Sequence, residues 1–323
     1  MSNNEISAAY DVIVVGGGAA GLSGALVLAR SRRTVLVIDS GEPRNAPAAA
    51  LHNFLSRDGM SPLALLEVGR VEVRGYGGEV VEARVRSAAR QDGGLSVALE
   101  DGRKVLARRL LVATGLIDEL PDVPGLRERW GRDVVHCPYC HGWEVRDQAV
   151  GVLATGPMAV HQALLFRQLT SDVVLFTHTG PALDNEQAEL LAARDIRIVD
   201  GRVAGLEVTD DHLRGVRLDD GSVVARQVMV VGAPMVARSH VLASLGLQAK
   251  PHPLGLGAFI RADATGLTDV PGVWVAGNVM DLSATVIGAA AQGVMAAATI
   301  NADLVAEDAR RAVIARRDLA LIG

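Results

Sequence analysis

The run from Asp11 to Asp39 restricts the fold more tightly than any other part of this chain. Asp11-Val12-Ile13-Val14-Val15 is nearly continuous in apolar residues, as a strand buried on both faces of a parallel sheet must be, and it runs directly into Gly16-Gly17-Gly18-Ala19-Ala20-Gly21. Gly16, Gly18 and Gly21 match Gly-x-Gly-x-x-Gly, and Leu22 to Arg30 continues as an Ala/Leu-rich helix. Glycine here permits a tight turn and lets a pyrophosphate approach the helix N-terminus, where unpaired N–H groups and the helix dipole favour negative charge. The next strand, Thr34-Val35-Leu36-Val37-Ile38, ends in Asp39. That is about 20 residues beyond the turn, the place from which a carboxylate reaches an adenosine ribose. A glycine turn without a ligand would leave Asp39 unexplained, so Gly16, Gly18, Ala19, Ala20, Gly21 and Asp39 are read as dinucleotide-binding.

The remaining pattern is α/β. Ser40 to Pro62 is polar and punctuated by proline; so long a loop in a compact domain is usually functional, and Ser40, Arg44, Asn45 and His52 are expected beside the same ligand. Val80 to Val105 alternates like a small antiparallel meander, and Arg109 to Gly115 returns as a buried strand with a glycine end, Ala113-Thr114-Gly115. Pro121, Pro124 and Gly125 mark a domain boundary. From Ala149 the chain echoes its own beginning: Val150 to Leu153 as strand, Ala154-Thr155-Gly156-Pro157-Met158-Ala159 as turn, a helix to about Leu169, then the strand Val173 to Phe176. The echo is degraded, keeping only Gly156 and Ala159 small, with Thr177-His178-Thr179 where a 2′-phosphate site would need arginine. Val203 to Leu218 and Val223 to Val231 read as further strands, with a turn at Asp219-Asp220-Gly221. Near Pro251 the pattern changes again. Val273 to Val275 forms a strand ending in Ala276-Gly277-Asn278, and a helix of small residues spans Ala284 to Leu304, its start near Thr285 offering N–H groups to a second part of the dinucleotide. The expected domains are residues 1–118 with 250–323, discontinuous, and an inserted 119–249.

The chain has two cysteines, both in Cys137-Pro138-Tyr139-Cys140-His141-Gly142-Trp143-Glu144. A Cys-x-x-Cys pair that uses every cysteine, followed within a helical turn by an imidazole and a carboxylate, reads as redox chemistry. His136 and His141 lie too close in sequence to complete a zinc tetrahedron, so no metal is expected. Cys-x-x-Cys-His is also the c-type haem attachment pattern, but that haem is attached outside the cytoplasm. Met1 to Tyr10 lacks the basic and apolar regions of a signal peptide and no apolar run approaches the length of a membrane span, so a cytoplasmic protein without membrane attachment is expected. There a structural disulfide would be unusual, and the pair is read as a working one. Inert buried cysteines, and local helix capping by His141 and Glu144, are the alternatives. A net charge of -5 with scattered basic residues argues against nucleic acid, and 35 glycines beside 3% aromatic residues suit an α/β protein whose backbone approaches ligands closely.

On these residues the whole chain resembles the low-molecular-weight thioredoxin reductases. Gly16-x-Gly18-x-x-Gly21 with Asp39, Ala113-Thr114-Gly115 and Val275-Ala276-Gly277-Asn278 look like that family's three FAD motifs in order, and the cysteine pair falls inside the inserted domain. The resemblance implies two Rossmann-like, doubly wound, three-layer nucleotide-binding domains, FAD as cofactor and a homodimer. It also implies that Cys140 faces the flavin and Cys137 meets the substrate. Two departures stand out. His141 occupies the place of the family's aspartate, as in the dithiol oxidases of gliotoxin- and holomycin-type natural products, and the second domain lacks the NADPH glycine turn and arginine pair. Both point to an oxidase closing a disulfide in a small-molecule dithiol with oxygen as acceptor. His141 is suited to take thiol protons, with Glu144 orienting the ring or holding its charge. The other direction, an NADPH-dependent reductase of a thioredoxin-like protein or a disulfide, is the competing expectation, and a flavin-binding sensor without turnover a third. Asn278, where the family commonly has aspartate, leaves the ribityl-phosphate contact open.

Overall fold

A computed structural model describes residues 6–322, with side chains to residue 319, so Met1 to Glu5 of the expected leaderless N-terminus lie outside the described residues. The chain divides into two compact units: one takes the chain up to Arg44, Leu63–Ile117 and the chain from Met235; the other takes Asn45–Pro62 and Asp118–Pro234.

The first unit is organised by a seven-stranded sheet. Its centre is β1 (Ala9–Val15), with α1 (Ala19–Arg30) following, then β2 (Val35–Asp39), α2 (Pro62–Gly75), β3 (Glu79–Glu82), β4 (Val85–Gln91), β5 (Gly94–Leu99) and β6 (Lys104–Val112). The spatial order is β3-β2-β1-β6-β5-β4, with Val273–Val275 also paired to β6. The strands β3, β2, β1, β6 and Val273–Val275 pair in parallel, and β4 and β5 attach antiparallel. β1 reads apolar without alternation because both faces are covered: Val12 and Val14 pack with Leu28, Leu111 and Ile300, while Ile13 and Val15 pack with Leu36, Leu110 and Val273. Each such buried aliphatic side chain contributes roughly 1.5–3 kcal/mol. The helix of small residues is longer than its expected end at Leu304, running Val286–Ile322. Its small side chains let it cross α1 closely: a Cβ at Gly293 would stand 2.0 Å from the Ala20 carbonyl oxygen, and one at Gly24 3.1 Å from that of Gly293.

The chain re-enters the first unit at Met235, earlier than the expected residue 250. Met235–Ala237 pairs with Gly257–Phe259, and Ala237, Val241, Leu242 and Leu247 share a core with Ile13. Those apolar residues tie the segment to the first unit, and the crossing itself falls directly after Gly232-Ala233-Pro234.

The second unit holds a five-stranded parallel sheet in the order Arg197–Val199, Val173–Phe176, Val150–Leu153, Val228–Val231, Val134–Val135. Helices Ala159–Phe166 and Asn185–Ala193 follow two of its strands, the latter started by a capping box between Asp184 and Gln187. The stretch expected as strand from Val203 to Leu218 is a hairpin, Val203–Thr209 and His212–Leu218, turned by Asp210 and Asp211 at φ 51° and 58°. Both residue types tolerate the left-handed region, so two aspartates made the turn that the strand reading missed. Val223–Val231 likewise splits, with Val223–Ala225 joining the hairpin and Val228–Val231 the parallel sheet. No helix among the described residues is long and apolar enough to cross a membrane.

Candidate active site

In the first unit, three sequence-distant motifs meet at the carboxyl ends of parallel strands. A Cβ at Gly16, whose φ is +103°, would stand 2.4 Å from the Ala113 carbonyl oxygen; one at Gly21 would stand 1.9 Å from the Gly16 carbonyl oxygen; one at Gly277 would touch the Ala20 Cβ at 3.0 Å. These glycines are required by the protein's own packing. Gly18 is different: it precedes α1 in extended conformation, and a Cβ there would meet nothing within 4 Å. The first turn of α1, which includes Ala19 and Ala20, has neither a side-chain cap nor an acidic residue, leaving N–H groups and the positive end of the dipole to face an anion. Asp39 Oδ1 accepts the Gly17 N–H at 3.0 Å and its Oδ2 pairs with Arg70 at 3.2 Å. Arg70 of α2 was not foreseen, since nothing in a surface helix marks one arginine among several. Thr114 Oγ1 donates to the Arg238 carbonyl at 2.7 Å, and the Gly115 carbonyl, at a φ of +70°, accepts the Arg238 N–H at 2.9 Å.

Asn278 receives a physical reason. Its Nδ2 donates to the carbonyls of Asp281 at 3.0 Å and Ala284 at 2.9 Å, fixing the loop before the long helix, and an aspartate there has no N–H to give. The Gly277 N–H donates to Gln292 Oε1 at 2.9 Å, and Gln292 Nε2 to Asp281 Oδ2 at 2.9 Å. Thr285 Oγ1 accepts from the Gly288 N–H at 3.4 Å at the start of that helix. Ser40 and Arg44 belong to the first unit, both half-buried. Asn45 and His52, expected beside the same ligand, belong to the second.

In the second unit Cys137 and Cys140 form a disulfide, Cα atoms 5.2 Å apart, across the single helical turn Pro138–His141. Proline is suited to open that turn, since the N–H it lacks would be unpaired anyway. Cys137 Sγ accepts the Cys140 N–H at 3.2 Å. His141 follows with both ring nitrogens buried and without a hydrogen-bond partner. Burial holds its pKa below the ordinary imidazole value; the Glu144 charge opposes that shift, and His52 adds to it. Of the two expected roles of Glu144, orienting the His141 ring or holding its charge, the structure has no hydrogen bond for the first, while the Glu144 charge does bear on the ring; its Oε1 lies 3.3 Å from His52 Nε2. His52 Nδ1 lies 3.4 Å from Asp58 Oδ2. Asp58 and Asn53 were missed, because a loop some eighty residues away in sequence carries no periodic signal that would pair it with the cysteines.

The echo turn of the second unit is closed by its own chain. Thr155 Oγ1 donates to the Gly232 carbonyl at 2.7 Å, and Gly180 packs so closely that a Cβ there would meet the Ala154 Cβ at 2.7 Å. His178 Nδ1 accepts the Val203 N–H at 3.0 Å, and burial followed by the Arg202 charge lowers its pKa, so the ring is neutral near pH 7. Arg202, a cation near His178, comes from a later connection than the one that lacks arginine in the sequence.

The family described as pyridine nucleotide-disulphide oxidoreductase matches residues 10–296. Thioredoxin reductase tcpT of Claviceps purpurea is 33% identical over 78% of this chain and 81% of its own, and thioredoxin reductase aclD of Aspergillus oryzae is 30% identical over 83% and 88%. Among solved structures, HlmI is 50% identical with a TM-score of 0.89, covering 96% of this chain and 97% of its own. The chain therefore belongs to the pyridine nucleotide-disulphide oxidoreductases, as a thioredoxin reductase-like, FAD-dependent enzyme acting on sulfur groups.

Proposed function

We propose that this enzyme is a dithiol oxidase that closes an intramolecular disulfide in a small-molecule dithiol, with molecular oxygen as terminal acceptor. The observation that carries the reading is His141: an imidazole directly after the Cys137–Cys140 disulfide, its two ring nitrogens buried and without a partner and its pKa pushed down, is a base already neutral at physiological pH. A substrate thiol gives its proton to His141 and attacks the enzyme disulfide as thiolate. That S–S bond breaks as the mixed disulfide forms. The second substrate sulfur then displaces the enzyme sulfur, leaving Cys137 and Cys140 reduced and the substrate S–S bond closed. A thiolate on Cys137 retains the Cys140 N–H as donor.

The residues that would hold FAD are Gly16, Gly18, Ala19, Ala20, Gly21 and Asp39 at the first turn, with Ser40, Arg44, Thr114, Gly115, Gly277, Asn278 and Thr285 around it; the open face at Gly18 and the uncapped start of α1 fit a pyrophosphate. Bound there, FAD supplies a two-electron acceptor that oxygen can discharge. A small natural-product dithiol is favoured by the resemblance of Cys-Pro-Tyr-Cys-His-Gly-Trp-Glu to the natural-product dithiol oxidases.

A second reading, an NADPH-linked thioredoxin or disulfide reductase, is favoured by the names of the relatives tcpT and aclD and by Arg202 near His178. Anaerobic stopped-flow mixing of the oxidised protein with a dithiol and, separately, with NADPH decides between them. The oxidase reading expects fast loss of flavin absorbance with the dithiol, slow or none with NADPH, and hydrogen peroxide on admission of air. Fast bleaching by micromolar NADPH overturns it.

A further inference from the structure

The loop from Asn45 to Pro62 brings charge to the thiol centre of its own unit. His52, with 22% of its side chain exposed, stands between two carboxylates: Nδ1 is 3.4 Å from Asp58 Oδ2 and Nε2 is 3.3 Å from Glu144 Oε1. The loop is tied into that shape. Leu51 and Met60 close its neck through a backbone hydrogen bond at 2.8 Å, and Gly59 donates to the Leu51 carbonyl at 2.9 Å. Asp58 Oδ1 accepts the Asn53 N–H at 2.9 Å, and Asn53 Nδ2 donates to the Tyr139 carbonyl, between the two cysteines, at 2.5 Å. Ser56 is held at a φ of +72°. That conformation is disfavoured for a residue with a Cβ, so the fold maintains the loop geometry against an intrinsic preference.

Resting on the dithiol oxidase reading, we infer that His52 is a positioning residue of the thiol centre: it fixes the Glu144 carboxylate beside His141 and links it to Asp58 at the surface. The chemistry asks for such a link. Closing a dithiol to a disulfide releases two electrons and two protons; with oxygen as acceptor, both end on hydrogen peroxide. His141 holds one proton at a time, and its ring nitrogens are buried. Glu144 is 41% exposed and Asp58 66% exposed, so the ion-pair chain Glu144, His52, Asp58 reaches water, and it acts on the buried His141 ring through charge, without a hydrogen bond to it. The charged groups that face His141 are Glu144 on its own segment and His52 on the loop; those that face His52 are Asp58 and Glu144.

The signs are opposed, which makes the test sharp. A cation at His52 opposes a proton on His141, whereas the Glu144 carboxylate favours it. His52→Gln keeps an N–H toward Glu144 but no charge, and Glu144→Gln removes the carboxylate. Imidazole titration by NMR on the oxidised holoprotein, with the His141 signal assigned by its loss in His141→Asn, reads the effect without turnover. The His141 midpoint moves to higher pH in His52→Gln and to lower pH in Glu144→Gln, and the acid limb of the anaerobic reduction rate by dithiothreitol moves in the same two directions. A merely structural loop would lower the melting temperature of His52→Gln and leave its His141 midpoint in place, and that result overturns the inference. Failure of dithiothreitol to reduce the wild-type flavin at any pH would instead defeat the oxidase reading, while the NMR midpoints still decide the role of His52.

Discussion

The two units each contain a parallel strand running through a turn into a helix, and they treat that turn in opposite ways. After β1 the turn is stripped to Gly16, Gly18 and Gly21, and its one outward-facing position, Gly18, opens onto free space. After Val150–Leu153 the same turn carries Thr155 and Pro157, its hydroxyl is bonded to Gly232, and Gly180 is folded against Ala154. Under the proposed reading the difference marks where nucleotide binding ends and thiol chemistry begins: a pyrophosphate needs bare backbone N–H groups, and the second turn directs a side chain of its own back onto its neighbours.

The largest expected effect comes from breaking the first turn from inside. Gly21→Val places carbon within bonding distance of the Gly16 carbonyl, because a Cβ there already stands 1.9 Å away, so the turn must move and with it the α1 N-terminus. Expression is expected to give insoluble or flavin-free protein, measured by yield and by the ratio of flavin to protein absorbance. The echo carries Ala159, with its Cβ, at the corresponding place. Gly18→Val is the finer version: no protein atom opposes the side chain, so the variant folds, yet it blocks the face a pyrophosphate needs. Folded apoprotein is expected, and full flavin occupancy would remove Gly18 from the proposed cofactor set.

The next effects fall on the second unit. Cys137→Ser, which leaves no disulfide to attack, is expected to abolish dithiol turnover while the flavin stays bound. His141→Asn is milder, losing roughly 100-fold to 10,000-fold as general base catalysis predicts. In the wild type the low His141 pKa keeps the ring neutral through neutral pH, so the rate is flat there and falls only below the ordinary imidazole range as the ring takes a proton. Near-normal turnover in Cys137→Ser, or a rate that falls already at neutral pH, would count against thiol chemistry as the work of this unit.

The same contrast explains what could be read from sequence. β1, α1, β2 and Asp39 were legible because burial on both faces, the steric demand at Gly16 and Gly21 and the carboxylate position each leave a local mark on the chain. The cysteine pair and His141 were legible for the same reason. Arg70 on Asp39, Gln292 on the Gly277 N–H and His52 between Asp58 and Glu144 were not assigned these roles, since each is brought to its partner only by tertiary packing. Asn278 shows the intermediate case. Its departure from the family's aspartate was visible, but its reason, an N–H that anchors Asp281 and Ala284, appears only in the folded loop.

The smallest expected effect is the most discriminating. Gly156 and Gly18 are alike in isolation: at each a Cβ would meet nothing within 4 Å, and neither has a φ in the left-handed region. If both turns held a nucleotide, valine would be equally harmful at both. Under the proposed reading only the first turn has a ligand, so Gly156→Val is expected to keep wild-type flavin content, a melting temperature within about 2 °C, the scale of a surface change of about 0.5 kcal/mol, and unchanged reduction by dithiothreitol. NADPH should bleach the flavin no faster in the wild type than in this variant, because Thr155 bonded to Gly232 and the fixed φ of Pro157 already keep backbone N–H groups from converging on a phosphate. If instead the wild type is reduced quickly by NADPH and Gly156→Val abolishes that while sparing the dithiol reaction, then the second turn is a working nucleotide site with Arg202 as its cation, and the contrast between the two units is one of degree.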